Sequence, residues 1–523
     1  MPRRKIVVVG AGIAGLVAAV ELAAAGLDVT VVEKQPTPGG KLRQLGTPDA
    51  PIDAGPTVFT KRFVFDAVFA AAGTTLEQHL TLRPAEILAR HAWDGGGRLD
   101  LFADIGRSAE AIAAFAGPAE ARGYRDFCAR AGKIYRTLEK PFICSQQPGS
   151  AFELARRVGL LAPNELLGMS PFATMWKGIA EHFRDPRLRQ LFGRYATYCG
   201  SSPWLAPATL MLVAHVEQAG VWMVDGGMHQ IARALEALAI SLGAHFHYGH
   251  VVREITTKTG RVTGVSLANG ERFEAGSVVF NGDHAALATG LLGASAQRAV
   301  AKPEGVRSLS AVTWAMNAPA TGFPLLRHNV FFSNAYQAEF DDIFTQRRIP
   351  GRPTVYVCAQ DRGDVAEDST GPQRLLVLTN APAIGDTHDF TEAEIEACQA
   401  STMSVLRRCG LEITPDPTQD RQSCTITTPT QWNQLFPATG GALYGRATHG
   451  SMAPFRRPAS RSLIQGLYLA GGSAHPGPGV PMAAMSGRLA AAAILRDMQL
   501  SRPVAALPRS SAPTATPGGM STR

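Results

Sequence analysis

Three glycines near the start of the chain have the spacing of a phosphate-binding turn. Gly10, Gly12 and Gly15 form a GxGxxG pattern between an apolar run and a helix-forming run. Gly10 would permit a tight turn, Gly12 would let the backbone approach a pyrophosphate, and Gly15 would let a helix pack closely against a strand. The pattern therefore predicts a turn that binds the phosphates of a dinucleotide.

The residues around this turn offer partners to the rest of a dinucleotide. Ile13 and Ala14 stand at the predicted start of a helix, where unpaired N–H groups and the positive end of the helix dipole favour phosphate. Glu33 can accept hydrogen bonds from a ribose diol, and its charge would repel the 2′-phosphate of NADP. These residues leave both FAD and NAD open as the dinucleotide.

The local sequence supplies the elements that such a turn requires. Lys5–Val9 is a run of β-branched residues typical of a buried strand, and a helix is predicted to follow the glycines to about Ala25. Gly26 is predicted to end this helix, and Asp28–Glu33 to form a second strand. A strand, a helix and a strand within about 30 residues form the βαβ context that the glycine pattern requires.

The composition narrows the class of protein. Of 523 residues, 45% are hydrophobic and 18% are charged, as in an ordinary globular protein of two or three domains. Seven cysteines without a CxxC pair suggest neither a disulfide framework nor a zinc site, and we predict no metal. The formal net charge is +8, but no dense basic run follows Arg3–Lys5, so we predict no nucleic-acid partner. Since no apolar run is long enough to span a bilayer, we expect a cytoplasmic protein.

Three further segments carry a resemblance to a known family. They are Pro38–Lys41, Ile52–Thr57 and Leu467–Met482, the last of which contains the sequence HPGPGVP from His475 to Pro481. Together with the glycine pattern, they resemble the phytoene desaturase family of bacterial carotenoid dehydrogenases, within the wider amine-oxidase-like FAD flavoproteins. The resemblance extends to a predicted helix that ends near Leu495.

Two short stretches refine the resemblance. Pro481–Gly487 and Phe280–Asp283 are more similar to the 1-hydroxycarotenoid 3,4-desaturases (methoxyneurosporene dehydrogenases) than to phytoene desaturases. Lys41 departs from many relatives, which carry arginine at this position. Lysine keeps the charge but cannot form the planar fork of a guanidinium group.

The resemblance implies FAD as the cofactor and assigns residues to it. Val252 is the implied backbone contact to adenine, and the alternative for this residue is an ordinary position in a core strand. The residues implied to lie along the ribose and pyrophosphate are Gly39, Gly40 and Lys41, and Lys34 is also assigned to the cofactor. The residues implied to pass near the isoalloxazine ring or to close over it are Gly55, Pro56, Thr57, Gly472, Ser473, Val480, Pro481 and Met482.

The residue types at the end of this set support the same placement. Pro481 suits the first turn of a helix, and the alanine-rich run from Met482 to Leu495 is a strong helix former. The positive end of such a helix would face the negative charge of a reduced flavin near N1 and O2.

The implied fold class is α/β. It combines a Rossmann-like FAD-binding domain of the amine-oxidase or glutathione-reductase type with an interleaved α+β substrate domain. We predict a discontinuous FAD-binding domain of residues 1–110, 215–300 and 455–500. A helical region facing the substrate and the membrane is predicted for residues 111–214 and a strand-rich substrate domain for residues 301–454. Residues 501–523 are predicted to form a disordered tail.

The resemblance implies FAD-dependent desaturation in carotenoid biosynthesis, with a C3–C4 double bond introduced into an acyclic 1-hydroxycarotenoid. The carbon beside a polyene can lose hydride to flavin N5, because the positive charge left behind spreads along the conjugated chain. The cofactor carries this step, while the protein orients the substrate and excludes water. No constellation of side chains is identified as catalytic, and neither the base nor the electron acceptor is assigned. His475 is as readily a loop-fixing residue as a catalytic one.

Three other functions stay open. One is a phytoene desaturase that acts repeatedly on an uncoloured hydrocarbon. The others are a flavin amine oxidase and a prenyl-lipid carrier that is not an enzyme, and the intact glycine pattern and Glu33 argue against this carrier.

A carotenoid substrate predicts peripheral association with the inner or photosynthetic membrane. Arg156 and Arg157 stand beside apolar residues, a combination that suits an anionic interface, although an amphipathic helix facing the core has the same pattern. The apolar residues of this candidate surface are Phe152, Leu154, Val158, Leu160 and Leu161. Trp176, Trp204 and Trp222 are candidates for a substrate tunnel, but large aromatic residues are more often part of a core.

Overall fold

The computed structural model describes residues 4–47, 49–159, 172–364, 371–414 and 424–499. The predicted tail 501–523 and the candidate membrane residues Leu160 and Leu161 lie outside these ranges.

The described residues form strands that we number in chain order. They are β1 Lys5–Val9, β2 Asp28–Glu33, β3 Gln44–Thr47, β4 Ala50–Asp53, β5 Phe59–Thr60, β6 Leu82–Pro84, β7 Ile87–Trp93, β8 Arg98–Phe102, β9 Val221–Val224, β10 His245–Tyr248, β11 Val252–Lys258, β12 Arg261–Leu267, β13 Arg272–Glu274, β14 Ser277–Phe280, β15 Ser310–Ala318, β16 Ala320–Thr321, β17 His328–Phe332, β18 Val355–Ala359, β19 Gln373–Ala381, β20 Glu412–Ile413, β21 Cys424–Thr427 and β22 Leu467–Leu469.

The α-helices are numbered in the same way. They are α1 Ile13–Ala24, α2 Phe63–Ala71, α3 Ile105–Ala116, α4 Pro118–Leu138, α5 Ala151–Val158, α6 Met175–Ala180, α7 Pro186–Gly193, α8 Leu212–Gln218, α9 His229–Ser241, α10 His284–Ala288, α11 Tyr336–Asp341, α12 Glu392–Arg408, α13 Pro429–Leu435 and α14 Val480–Asp497. Shorter 3₁₀ and π segments are Leu76–Gln78, Glu139–Ile143, Arg194–Cys199, Ala208–Met211, Ala296–Ala299, Asp342–Gln346 and Ala453–Arg456.

A five-stranded parallel sheet in the order β10-β2-β1-β14-β22 holds the glycine turn. β1 is buried on both faces, which explains its unbroken run of β-branched residues. Ile6 and Val8 pack with α1, α9 and α14, whereas Val7 and Val9 pack with the antiparallel sheet β11-β12-β13. The predicted β1–α1–β2 unit and the α/β class are confirmed.

A second sheet has seven strands in the order β21-β15-β19-β18-β17-β7-β8. Alternate residues of its strands point to opposite faces, so one face can pack on a helix while the other lines a cavity. Val355 and Leu375 pack on α12, a helix that the strand-rich reading of residues 301–454 did not predict. The pairing of β7 with β17 places residues 87–102 in this sheet, whereas the predicted division assigned them to the FAD-binding domain.

The segment from α3 to α8 is largely helical and has its own apolar core. Tyr124, Phe127, Phe183 and Phe192 of this core are almost fully buried and lie ring against ring. Among the described residues, no helix has both the length and the apolar character needed to cross a membrane.

Helices α1 and α14, the first and last within the described residues, pack closely because α14 carries a glycine at their crossing. A Cβ atom at Gly487 would lie 2.2 Å from the carbonyl oxygen of Ala14. This approach fixes the two helices side by side on the parallel sheet. Their N-termini consequently face the same space.

Replacing Gly487 should therefore separate the two helices. We expect Gly487→Ala to lower the free energy of unfolding by about 1–3 kcal/mol, the usual cost of overpacking a core. The exposed Gly276, whose added Cβ would meet nothing within 4 Å, provides the matched control Gly276→Ala. Equal unfolding midpoints for the two variants in denaturant would contradict the close-packing account.

Candidate active site

A single cavity of about 1070 Å³ connects the glycine turn with the seven-stranded sheet and the helical region. Every residue that the sequence assigned to the cofactor lines this cavity except Gly15, which lies behind the turn. The lining residues of the cofactor end are Gly10, Gly12, Ile13, Ala14, Glu33, Lys34, Gly39, Gly40, Lys41, Gly55, Pro56, Thr57, Val252, Gly472, Ser473, Val480, Pro481 and Met482.

The glycine turn is held from below by Asn281, a residue outside the glycine pattern. Asn281 donates from Nδ2 to the carbonyl oxygen of Gly10 at 3.1 Å. A Cβ at Gly12 would lie 2.8 Å from this Nδ2, and a Cβ at Gly15 would lie 2.1 Å from the Gly10 oxygen. Asn281 lies in the stretch Phe280–Asp283, directly after β14. This position at the end of a strand was the sequence signal that could have identified it.

Two helix N-termini face the cofactor end of the cavity. α1 begins after Gly12 and α14 after Gly479, and neither cap residue provides a side-chain hydrogen bond. The first N–H groups of these helices are thus available to an anionic group. Pro481 lies in the first turn of α14, as predicted.

Glu33 is buried at the end of β2, where two backbone hydrogen bonds fix its carboxylate. Oε2 accepts from the N–H of Ala11 at 2.7 Å, and Oε1 accepts from the N–H of Gln35 at 2.8 Å. Each oxygen retains capacity for a further donor, since a carboxylate can accept about four hydrogen bonds. The carboxylate is therefore preset to accept hydrogen bonds from a ligand in the cavity.

Two lysines that follow β2 donate to backbone carbonyls at the end of α13 and in the loop after it. Lys41 donates from Nζ to the carbonyl oxygen of Leu443 at 2.6 Å, and Lys34 donates to that of Leu435. Burial lowers the pKa of Lys41 to about 8, although nearby Asp283 opposes the shift. Burial also lowers the pKa of Lys34. Both ammonium groups brace this loop, and both residues line the cavity.

The segment Gly55–Thr57 lies where the two ends of the cavity meet. A Cβ at Gly55 would lie 1.9 Å from the carbonyl oxygen of Lys41, so only glycine fits there. The hydroxyl of Thr57 lies 2.7 Å from the hydroxyl of Tyr356 on β18. This contact joins the parallel-sheet domain to the seven-stranded sheet.

Arg457 is a buried cation that sequence reasoning missed. Its guanidinium donates to the carbonyl oxygens of Gly472 at 3.1 Å, Arg446 at 3.0 Å and Tyr444 at 3.3 Å. Burial lowers its pKa. Arg457 lines the cavity and holds the loop before α14 in place.

His475 supports that loop from outside the cavity. Its Nε2 lies 2.9 Å from the carbonyl oxygen of Phe142 and 3.0 Å from that of Ser145. Burial lowers its pKa to about 4, so the ring is neutral near pH 7. The geometry favours the loop-fixing reading of this residue.

The three tryptophans considered for a tunnel do not line the cavity. Trp176 and Trp204 stack on each other with ring centroids 4.5 Å apart, and Trp222 packs beneath the guanidinium of Arg62. The apolar lining at the substrate end comes instead from residues of the helical region and the second sheet. They include Leu138, Phe142, Leu154, Leu210, Val213, Leu376 and Leu378.

The cofactor end fits FAD. The glycine turn carries no side chain at Gly12 and leads into an uncapped helix start, and the buried Glu33, which has acceptor capacity to spare, lines the same cavity. The residues that would hold the pyrophosphate are Gly12–Ala14, and those that would meet the ring system are Gly55–Thr57 and Val480–Met482.

Comparison with known proteins places these features in a family. The family model for flavin containing amine oxidoreductase matches residues 13–495. The chain is 55% identical to hydroxyneurosporene desaturase of Rubrivivax gelatinosus, over 99% of this chain and 98% of the relative. It is 44% identical to hydroxyneurosporene desaturase of Cereibacter sphaeroides, over 94% of this chain and 98% of the relative.

A solved structure shares the fold. The crystal structure of an oxidoreductase from Methanosarcina mazei superposes with a TM-score of 0.56, at 17% identity, over 94% of this chain and all of the other. At this identity the likeness supports the fold alone. The predicted Rossmann-like, amine-oxidase type of fold is confirmed.

A Cβ at Gly12 would overlap Asn281 and distort the glycine turn, and this should weaken the binding of FAD. We expect Gly12→Ala to raise the Kd for FAD at least about tenfold, or about 1.4 kcal/mol, measured by flavin fluorescence titration of deflavinated protein. The double variant Gly12→Ala/Asn281→Ala removes this overlap, so its Kd should equal that of Asn281→Ala alone. A Kd for the double variant as high as that of Gly12→Ala would show that the overlap with Asn281 is not what weakens binding.

Proposed function

The chain belongs to the flavin-containing amine oxidoreductase family, and from this premise we propose that it is a FAD-dependent carotenoid desaturase. Its reaction is the introduction of the C3–C4 double bond into an acyclic 1-hydroxycarotenoid. The high identity to hydroxyneurosporene desaturases along nearly the whole chain supports this substrate class.

One structural observation carries the proposal: the cofactor end and a long apolar substrate end form one continuous cavity. The apolar end is built by period-two alternation in the second sheet. Leu376 and Leu378 of β19 line the cavity, while Leu375 and Val377 pack towards α12. Such a wall suits a hydrocarbon chain brought against the ring system.

The flavin, when bound, supplies the hydride acceptor for removing hydrogen from the substrate. The chain's own residues perform the remaining tasks. The apolar wall would exclude water and align the polyene, and Gly55–Thr57 and the start of α14, which line the same cavity, would confine the reacting end.

A substrate comparison tests this proposal. FAD-loaded protein in liposomes is offered 1-hydroxyneurosporene, phytoene and putrescine in separate reactions, and products are followed by absorption and mass. We expect loss of two hydrogens from 1-hydroxyneurosporene with a red-shifted spectrum, and little conversion of the other two. Conversion of phytoene alone would replace the substrate with an uncoloured hydrocarbon, and oxidation of putrescine alone would make the protein an amine oxidase.

We propose further that the protein takes its substrate from a membrane surface at an opening beside α5. Three of the exposed residues that line the cavity, Ala151, Phe172 and Met452, are assigned to this opening. Phe152, which follows Ala151 in the chain, is 71% exposed, and Phe172 is 89% exposed. The exposed Arg156 lies on the same short helix, and the combination favours an anionic lipid surface.

Removing the exposed ring should weaken membrane binding without changing the cavity. We expect Phe152→Ser to lower the partition coefficient onto anionic liposomes about tenfold, since one buried phenyl ring contributes about 1.5–3 kcal/mol. The control is Ile240→Ser, which removes another exposed apolar side chain (51% exposed) on α9. Equal co-sedimentation of the two variants, at equal flavin content, would contradict this docking site.

A further inference from the structure

A cluster of polar side chains interrupts the apolar lining of the substrate end. It consists of Arg194, Tyr198, Glu217 and Tyr356, and all four line the cavity. Arg194 and Tyr198 lie on one 3₁₀ segment, Glu217 on α8 and Tyr356 on β18. We call these four residues the polar cluster.

Glu217 is the acceptor of the polar cluster. Glu217 is only 5% exposed, and its Oε2 accepts a hydrogen bond from the hydroxyl of Tyr198 at 2.9 Å. Burial raises the pKa of Glu217, and this effect outweighs the hydroxyl of Tyr198, the charge of Arg194 and the hydroxyl of Tyr195, which lower it. A carboxyl group keeps acceptor capacity in either protonation state, so Glu217 can bind one more hydroxyl.

Arg194 is the donor of the polar cluster. Its guanidinium lies 5.5 Å from the ring centroid of Tyr198 and 5.5 Å from that of Tyr356. Arg194 donates to the hydroxyl of Tyr198 and interacts with the charge of Glu217, but among the residues that the structure describes no carboxylate lies within ion-pair distance of it. A guanidinium carries five N–H donors, so Arg194 can donate to a further oxygen in the cavity.

The polar cluster begins beside the segment assigned to the flavin ring. Tyr356 joins it to Thr57 at 2.7 Å, and the same hydroxyl lies 2.7 Å from Nδ1 of His328. Burial lowers the pKa of His328 to about 3, so this imidazole is neutral and fixes the Tyr356 ring. A ligand group held by the polar cluster would therefore lie close to the reacting end of the substrate.

The chemistry of a 1-hydroxycarotenoid matches this placement. C1 bears the hydroxyl, and a single carbon separates C1 from the C3–C4 bond that becomes unsaturated. A site that binds the hydroxyl must consequently adjoin the site of hydrogen removal. A purely apolar pocket could not distinguish the hydroxylated end from the hydrocarbon end, whereas buried polar groups can, because the hydrocarbon would leave them unpaired.

We propose that Glu217 and Arg194 bind the C1 hydroxyl of the substrate, which donates to the carboxylate and accepts from the guanidinium. The inference rests on the proposed function and deepens it: the polar cluster selects a hydroxylated carotenoid end and sets its position. Tyr198 is a positioning residue that orients Glu217.

The test compares 1-hydroxyneurosporene with neurosporene, which lacks the hydroxyl, in the same liposomes. For Glu217→Leu and Arg194→Met, we expect kcat/KM for 1-hydroxyneurosporene to fall about 10- to 100-fold, the effect of losing a hydrogen bond to a charged group. The value for neurosporene should change less than about threefold, so the ratio of the two values falls. Tyr198→Phe removes only one hydroxyl and should lower the ratio about threefold to tenfold.

The matched control is Glu120→Gln, at a buried carboxylate that accepts from the N–H groups of Arg184 and Asp185 and does not line the cavity. Its substrate ratio should equal that of the wild type. If the wild type converts neither carotenoid, the proposed function fails. If the wild type prefers 1-hydroxyneurosporene and the variants keep its ratio, the function stands and the role of the polar cluster is overturned. If Glu217→Leu or Arg194→Met fails to load FAD, the substrate ratio of the near-isosteric variant Tyr198→Phe tests the role of the polar cluster.

Discussion

The close approach of backbone to backbone at the glycine turn is the constraint on which the rest of the structure depends. Gly15 lets α1 lie against the carbonyl oxygen of Gly10, and Gly487 lets α14 lie against that of Ala14. These contacts leave no room for a Cβ atom. They place the starts of two long helices, one from each end of the chain, at a single cavity. An anionic cofactor and the helix dipoles then stabilise each other.

The substrate end of the cavity follows from a different constraint, the alternation of side chains along β18 and β19. One face of the second sheet packs on α12, so the other face is free to meet the helical region across an open space. Thr57 contacts Tyr356 of this sheet. This hydrogen bond connects the segment proposed to meet the flavin with the polar cluster proposed to bind the substrate hydroxyl.

The sequence predicted the elements whose signals are local. The β1–α1–β2 unit and the helix that begins near Pro481 have the boundaries expected from apolar runs, glycine and proline. Features that depend on distant contacts were not predictable in this way. Asn281, Arg457 and the residues of the polar cluster each contact segments that are distant in the sequence. Their spacing along the chain forms no recognisable motif. The position of β7 and β8 in the second sheet likewise depends on the pairing of β7 with β17, which no local sequence pattern indicates.

The central claim is that one cavity brings a flavin and a hydroxylated polyene into contact. An anaerobic single-turnover experiment tests it most directly. FAD-loaded protein is mixed with 1-hydroxyneurosporene, and the absorbance of oxidised flavin and of the lengthened polyene is recorded in the same cell. The account predicts loss of oxidised flavin and gain of the desaturated product in equal molar amounts and at the same rate. Product formed while the flavin stays oxidised, or flavin bleached without product, would contradict it.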